Sequence, residues 1–163
     1  MNELPKRKHP RLKEYDYSSI GAYFITFCVK NRQHRLGEIV GRFGLGAPHM
    51  EYSEYGKVVC KYIDSIEMHY ENVAIDKYFI MPNHVHIIIM IKNEGVVTKS
   101  SRPTKASVPT VIAALKKLTN REFGFNMWQD SYYGRIIRNE EEYLETWKYI
   151  DENPVRWLED EYY

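Results

Sequence analysis

The sequence predicts an α+β domain with helices packed on one face of an antiparallel sheet, and three observations lead there. Strand-like and helix-like apolar patterns alternate in the order β-α-β-β-α-β-α. Two segments, Ala22–Val29 apart from Thr26 and His84–Ile91 beyond its start, are apolar on both faces, as strands covered on both sides must be. The last of these is separated from the strand before it by a short Pro82-Asn83 break, which implies an antiparallel hairpin. A chain of 163 residues is long enough for one core and too short for two, so a single site is expected.

Residues 1–19 are polar and carry Lys6, Arg7, Lys8, Arg11 and Lys13, then Tyr15 and Tyr17, and read as an extended basic arm. Ala22–Val29 follows as a buried central strand, bounded by Gly21 and Lys30. From Asn31 to Tyr52, Gly37, Gly41, Gly44, Gly46 and Pro48 break any period, which predicts a loop with room for a small hairpin. Ser53 then caps an amphipathic helix through Tyr55, Val58, Val59, Tyr62, Ile63 and Ile66, spaced three and four apart. Val73–Ile80 and His84–Ile91 form the hairpin. Asn93 to Pro109 is a Ser, Thr, Lys and Pro-rich connection, longer than most in a compact domain. Pro109 suits the first turn of a second helix, with Val111, Ile112, Leu115 and Leu118 as its stripe. A fourth strand is centred on Tyr132–Ile137. Asn139 with Glu142 makes a capping box that opens a third helix, expected to end by Asn153 because Pro154 follows. On a wheel at about 100° per residue, Tyr143, Leu144, Trp147 and Ile150 form its core stripe, and Tyr149 falls on the opposite, polar face. The first six elements match the ferredoxin-like arrangement, in which the two doubly apolar strands lie in the middle.

Charge excludes some functions. There are 23 Lys and Arg against 22 Asp and Glu, a net +1 with neutral histidine, so neither a uniformly basic protein that coats nucleic acid nor an acidic disordered tail is indicated. No apolar run approaches the roughly 18 residues of a membrane span, the longest being Ile87–Ile91. The N-terminus has no apolar stretch or cleavage site of a secretory signal, which predicts a cytoplasmic protein without membrane partners. Cys28 and Cys60 lack metal-ligand spacing and read as two buried, reduced thiols.

His84 and His86 are two apart on a strand, so both imidazoles share a face with Cα atoms ~6.5–7 Å apart, within chelating distance of one ion. The alternative is a pair of hydrogen-bonded core histidines or the solvated start of a strand. Position favours function: imidazoles at the mouth of the most apolar strand need polar partners that the adjacent Ile and Val cannot supply. Tyr149 is one of 14 tyrosines, and an amphipathic surface side chain is the plain reading. Asn153 shares its face through the i, i+4 relation and offers an oxygen as a third ligand. Joined, these residues suit phosphodiester chemistry, in which the ion polarises the phosphate and the tyrosine attacks phosphorus. Free tyrosine, with a pKa near ~10, needs help to deprotonate. By ligand type two imidazoles suit Mn²⁺ or Zn²⁺, and an oxygen ligand with open positions also admits Mg²⁺.

Met81-Pro82-Asn83-His84-Val85-His86, the upstream Tyr15-Asp16-Tyr17-Ser18-Ser19-Ile20-Gly21-Ala22-Tyr23-Phe24, and Trp128-Gln129 through Tyr149-Ile150-Asp151-Glu152-Asn153-Pro154 make the chain resemble the single-tyrosine HUH transposases. Within them it is most similar to the REP-associated tyrosine transposases, over about Tyr15 to Trp157. The resemblance implies a ferredoxin-like sheet with an additional C-terminal helix, one transposase domain over 1–163 with its basic arm at 1–19 and an acidic tail at 155–163. It implies that His84, His86 and Asn153 hold a divalent ion, Mg²⁺ or Mn²⁺, and that Tyr149 forms a 5′-phosphotyrosine bond with cleaved single-stranded DNA beside a hairpin. Insertion-sequence members commonly have Gln where Asn153 stands. Those relatives act as dimers, whereas REP-associated ones can work as monomers, so monomer and homodimer are both admitted. The Gly41-Arg42-Phe43-Gly44-Leu45-Gly46 stretch lacks the ending of a P-loop and gives no support to nucleotide hydrolysis.

The near-neutral total is a sum of opposed segments. Gly95 to Arg121 holds Lys99, Arg102, Lys105, Lys116, Lys117 and Arg121 with no acid, and the arm holds five bases against Glu3. Arg138 to Tyr163 holds nine acids and three bases. The basic clusters can neutralise phosphates, and Arg135 and Arg138 with Tyr132 and Tyr133 add a strand on which unpaired bases can stack, although its two tyrosines point to opposite faces. Two other readings remain at this point: a non-catalytic hairpin-binding module for DNA or RNA, and a replication-initiator or relaxase-like nuclease, whose relatives usually carry helicase or further domains.

Overall fold

A computed structural model of the chain describes residues 15–41, 46–93 and 106–159. Its elements run β1 (Gly21–Cys28), a 3-10 turn (Lys30–Arg32), β2 (Gly37–Val40), β3 (His49–Tyr52), α1 (Glu54–His69), β4 (Val73–Met81), β5 (His84–Ile91), α2 (Val108–Phe123), β6 (Tyr133–Ile137) and α3 (Glu140–Glu159). The four-stranded sheet has the order β4-β5-β1-β6 with every pair antiparallel, which is the ferredoxin-like arrangement. β1 and β5 are the central strands, as their two-faced apolarity demands. The segment between β1 and α1 closes on itself as the separate β2–β3 hairpin.

Alternation sorts the central strands into two cores. Tyr23, Ile25 and Phe27 of β1 and Val85, Ile87 and Ile89 of β5 meet Val59, Ile63, Val111, Ile112 and Leu115 of α1 and α2. Burying each such aliphatic side chain contributes roughly 1.5–3 kcal/mol. Phe24 and Ile88 point the other way and, with Ile137, pack under Ile150 of α3. The helices begin where local chemistry says: Ser53 Oγ accepts from the Gly56 N–H, Ser107 Oγ from Thr110, and Asn139 Oδ1 from Glu142. α2 ends at Gly124, whose φ of 81° is left-handed. Among the described residues no helix is long and apolar enough to cross a membrane.

Four expectations are corrected. α3 does not stop at Asn153 but runs through Pro154 to Glu159, so residues 155–159 of the expected acidic tail are helical and 160–163 lie outside the described residues. The proline forfeits one helical hydrogen bond, and packing offsets it: Pro154 is buried and the Trp157 ring lies 5.0 Å from that of His34 and 6.2 Å from that of His84. The buried face of α3 is Thr146, Ile150 and Asn153, 2%, 0% and 1% exposed, whereas Leu144 is 58% exposed. That is a rotation of roughly 80° from the expected stripe. It comes about because Tyr143 and Trp147 turn to the β4 edge, where both donate to Asp76 Oδ2 at 2.8 Å. The last strand starts at Tyr133, not Tyr132. Cys28 and Cys60 are free but only half-buried.

Candidate active site

β5 begins directly at His84, so the hairpin places His84 and His86 at the end of a central strand, on the face that α3 covers. They are 6% and 3% exposed, and their Nε2 atoms face each other at 3.0 Å. One pair of tautomers satisfies all three contacts of these rings. An amide oxygen only accepts, so His84 Nδ1–H donates to Asn83 Oδ1 at 2.6 Å, which leaves His84 Nε2 with a lone pair. His86 Nε2–H then donates to it, and His86 Nδ1 accepts from the Thr26 hydroxyl at 2.7 Å. Both imidazoles are neutral. Burial pushes His84 down to about 3, helped by His86, whose own protonation would repel a second proton, and then by the charge of Arg32. Burial pushes His86 down to about 4, with the Asn153 side chain opposing.

α3 brings Tyr149 and Asn153 over this pair. The Tyr149 ring lies 5.4 Å from that of His86 and 6.0 Å edge-on to Phe24, and the Arg156 guanidinium stands 5.5 Å from its centroid. Tyr149 is thus half-buried beside the core rather than opposite it. Asn153 donates through Nδ2 to Tyr149 O at 2.8 Å, and its buried Oδ1, which makes no hydrogen bond of good geometry, faces His86 closely enough to raise that imidazole. A buried carboxamide oxygen beside two ring nitrogens is a donor set whose chemistry suits a divalent cation. The 3.0 Å between the ring nitrogens also suits two ligands on one ion with bonds of ~2.0–2.1 Å. No third His, Cys, Asp or Glu joins them among the described residues, and the Asn153 carboxamide lies on the same buried face.

The expected nucleic-acid residues divide. Lys6, Arg7, Lys8, Arg11, Lys13, Lys99, Arg102 and Lys105 lie outside the described residues. Lys117, Arg121, Arg135 and Arg138 are exposed, with Arg135 also donating to Thr146 Oγ1 at 3.0 Å and so tying β6 to α3. Lys116 is half-buried. It donates to Gln129 O at 2.7 Å and Ser131 O at 3.1 Å and lies over the Phe27 and Tyr132 rings, holding the segment before β6. Tyr132, 8% exposed, belongs to the main core, and Tyr133, 48% exposed, is the tyrosine that faces solvent. Sequence reasoning missed Thr26, Asn83 and Trp157. Thr26 had a signal, being the one polar residue in an apolar strand.

Residues 18–153 match the family described as IS200-like transposase. A protein of Haemophilus influenzae described only as uncharacterized is 33% identical over 174 residues, covering 96% of this chain and 93% of its own length. The solved structure of a REP-associated tyrosine transposase bound to a REP hairpin superposes with a TM-score of 0.62 at 22% identity, over 90% of this chain and 73% of that one, a likeness of fold.

Proposed function

From the premise that the chain belongs to the IS200-like transposase family, we propose that it is a metal-dependent endonuclease and strand transferase acting on single-stranded DNA beside a hairpin. The observation that carries this reading is the meeting, on one buried face, of two neutral imidazoles, a carboxamide oxygen and a tyrosine ring. A partner with a hairpin is supported by the hairpin bound to the fold relative.

Tyr149 Oη attacks phosphorus, forming a phosphotyrosine bond as the bond from phosphorus to the 3′ oxygen breaks. The phenolic proton passes to solvent and the leaving oxygen takes one up, giving a free 3′ hydroxyl. Attack by a 3′ hydroxyl on the phosphotyrosine reverses these steps and joins the strands, so no external energy source is required. His84, His86 and Asn153 would hold the divalent ion, Mg²⁺ or Mn²⁺, which supplies Lewis-acid polarisation of the phosphodiester. Holding the ion through both Nε2 atoms would require His86 to carry its proton on Nδ1, with the Thr26 hydroxyl accepting it, and a hydroxyl can serve as either donor or acceptor.

A labelled hairpin oligonucleotide with a single-stranded flank, incubated with the protein and Mn²⁺ or Mg²⁺, is expected to give a denaturant-stable protein–DNA adduct that chelator prevents. Hairpin binding without any adduct would instead mark a non-catalytic binding module. Thr26→Val is expected to weaken Mn²⁺ binding by about 10–100-fold in calorimetry without DNA. Equal affinity would remove Thr26 from this role.

A further inference from the structure

We infer that Arg32 grips a backbone phosphate of the single strand at the mouth of the histidine site, which makes the Lys30–Arg32 turn a DNA-binding element. This rests on the single-stranded DNA reading above and adds to it a phosphodiester subsite.

The turn is built onto the histidine hairpin. β1 ends at Cys28, the cross-strand partner of His84, and the next residue, Val29, donates its N–H to Asn83 O at 2.8 Å. The Asn83 side chain then serves two groups: Oδ1 accepts from His84 Nδ1, and Nδ2 donates to Arg32 O at 3.3 Å. One carboxamide therefore sets the imidazole and the Arg32 backbone relative to each other. Beyond the turn, Leu36 N–H donates to Pro82 O at 3.0 Å and Ser53 Oγ to Arg35 O at 2.6 Å. At Gly56 a Cβ would come within 2.1 Å of Leu36 O, so α1 can start against this segment only with glycine there.

Within this frame Asn31 and Arg32 both have left-handed backbone, with φ of 54° and 51°. Asparagine adopts that region readily and arginine does not, so the surroundings impose it on Arg32. Held strain of this kind gathers at functional sites. The side chain thus projected is exposed, and among the described residues no carboxylate pairs with it. Lys57, Lys61, Lys77, Lys148 and Arg156 each have one. A planar guanidinium offers two parallel N–H groups to phosphate oxygens.

The test compares Tyr149→Phe with Tyr149→Phe/Arg32→Gln, in chelator, for binding to hairpin oligonucleotides that carry one neutral methylphosphonate at successive linkages of the flank. Glutamine keeps a β-carbon in the same strained backbone, and matching melting curves verify the fold. One linkage is expected whose neutralisation weakens binding about tenfold while Arg32 is present and has no effect in the Arg32→Gln protein, the mark of a direct pair. Equal losses at every linkage in both proteins would overturn the assignment. The adduct assay is separate: coupling without an adduct leaves Arg32 in place and removes the nuclease reading, and an adduct without coupling does the reverse.

Discussion

Tyr149→Phe is expected to abolish the covalent protein–DNA adduct, with strand cleavage falling by a factor on the order of 10⁴ or more, since loss of a nucleophile removes the reaction path and not merely an interaction. The substitution is clean in this fold. The ring contacts with His86 and Phe24 at 5.4 and 6.0 Å are carbon contacts that phenylalanine keeps, and only Oη is lost. Hairpin binding should stay within about threefold and thermal stability within a few degrees, because no packed volume changes. Tyr143→Phe is the matched control on the same helix. It removes the bond to Asp76 Oδ2 at the β4 edge, away from the histidines, and should retain the adduct. Gel analysis under denaturing conditions reads both. An adduct formed by Tyr149→Phe would transfer the nucleophile to another residue.

How much of this was legible in the sequence depends on whether local period or tertiary partner decides. The His84-x-His86 pair was legible because strand alternation is local: two apart means one face, and the hairpin turn fixed which end of the sheet that face would occupy. The sheet order followed from the two-faced apolarity of β1 and β5. The face of α3 was not legible, because the helix turns polar residues toward a polar site. Thr146, Tyr149 and Asn153 look like solvent residues until the histidines and Arg135 are opposite them. A wheel weighted by hydrophobicity therefore chose Leu144 and put the tyrosine on the wrong side. Pro154 misled for a related reason, since the residues that carry the helix past it are held by Trp157 against His34 and His84, distant in sequence. Lys116 shows another side of this: composition places it in a basic run, and only the fold reveals that two backbone carbonyls also accept from its ammonium. The left-handed pair at Asn31 and Arg32 leaves almost no trace in composition, as only Asn31 is a residue that favours it.

In chelator the protein is expected to lose stability steeply as pH falls from about 6.5 to 5. The folded state holds His84 and His86 as neutral bases with values pushed down to about 3 and 4 by burial, whereas the unfolded chain takes up protons near 6.5. Below 6.5 the unfolded state therefore binds more protons than the folded one, and stability rises with pH until the unfolded imidazoles are neutral, then levels off. Each pH unit in the falling range costs ~1 kcal/mol per imidazole, so at pH 5 the pair costs roughly 3–4 kcal/mol, a large part of a typical domain's 5–15. The hydrogen-bond arrangement supplies the mechanism. His84 Nε2 is the acceptor for His86 Nε2–H at 3.0 Å, and a proton on it would set two N–H groups head to head in a site 6% and 3% exposed. Urea midpoints at pH 7 and pH 5 measure the effect, with His84→Gln/His86→Gln as the comparison that should flatten it. An unchanged slope in that variant would mean the acid sensitivity arises elsewhere. The same burial that weakens the fold in acid keeps both lone pairs free of protons at neutral pH, the state in which an imidazole can serve as a ligand.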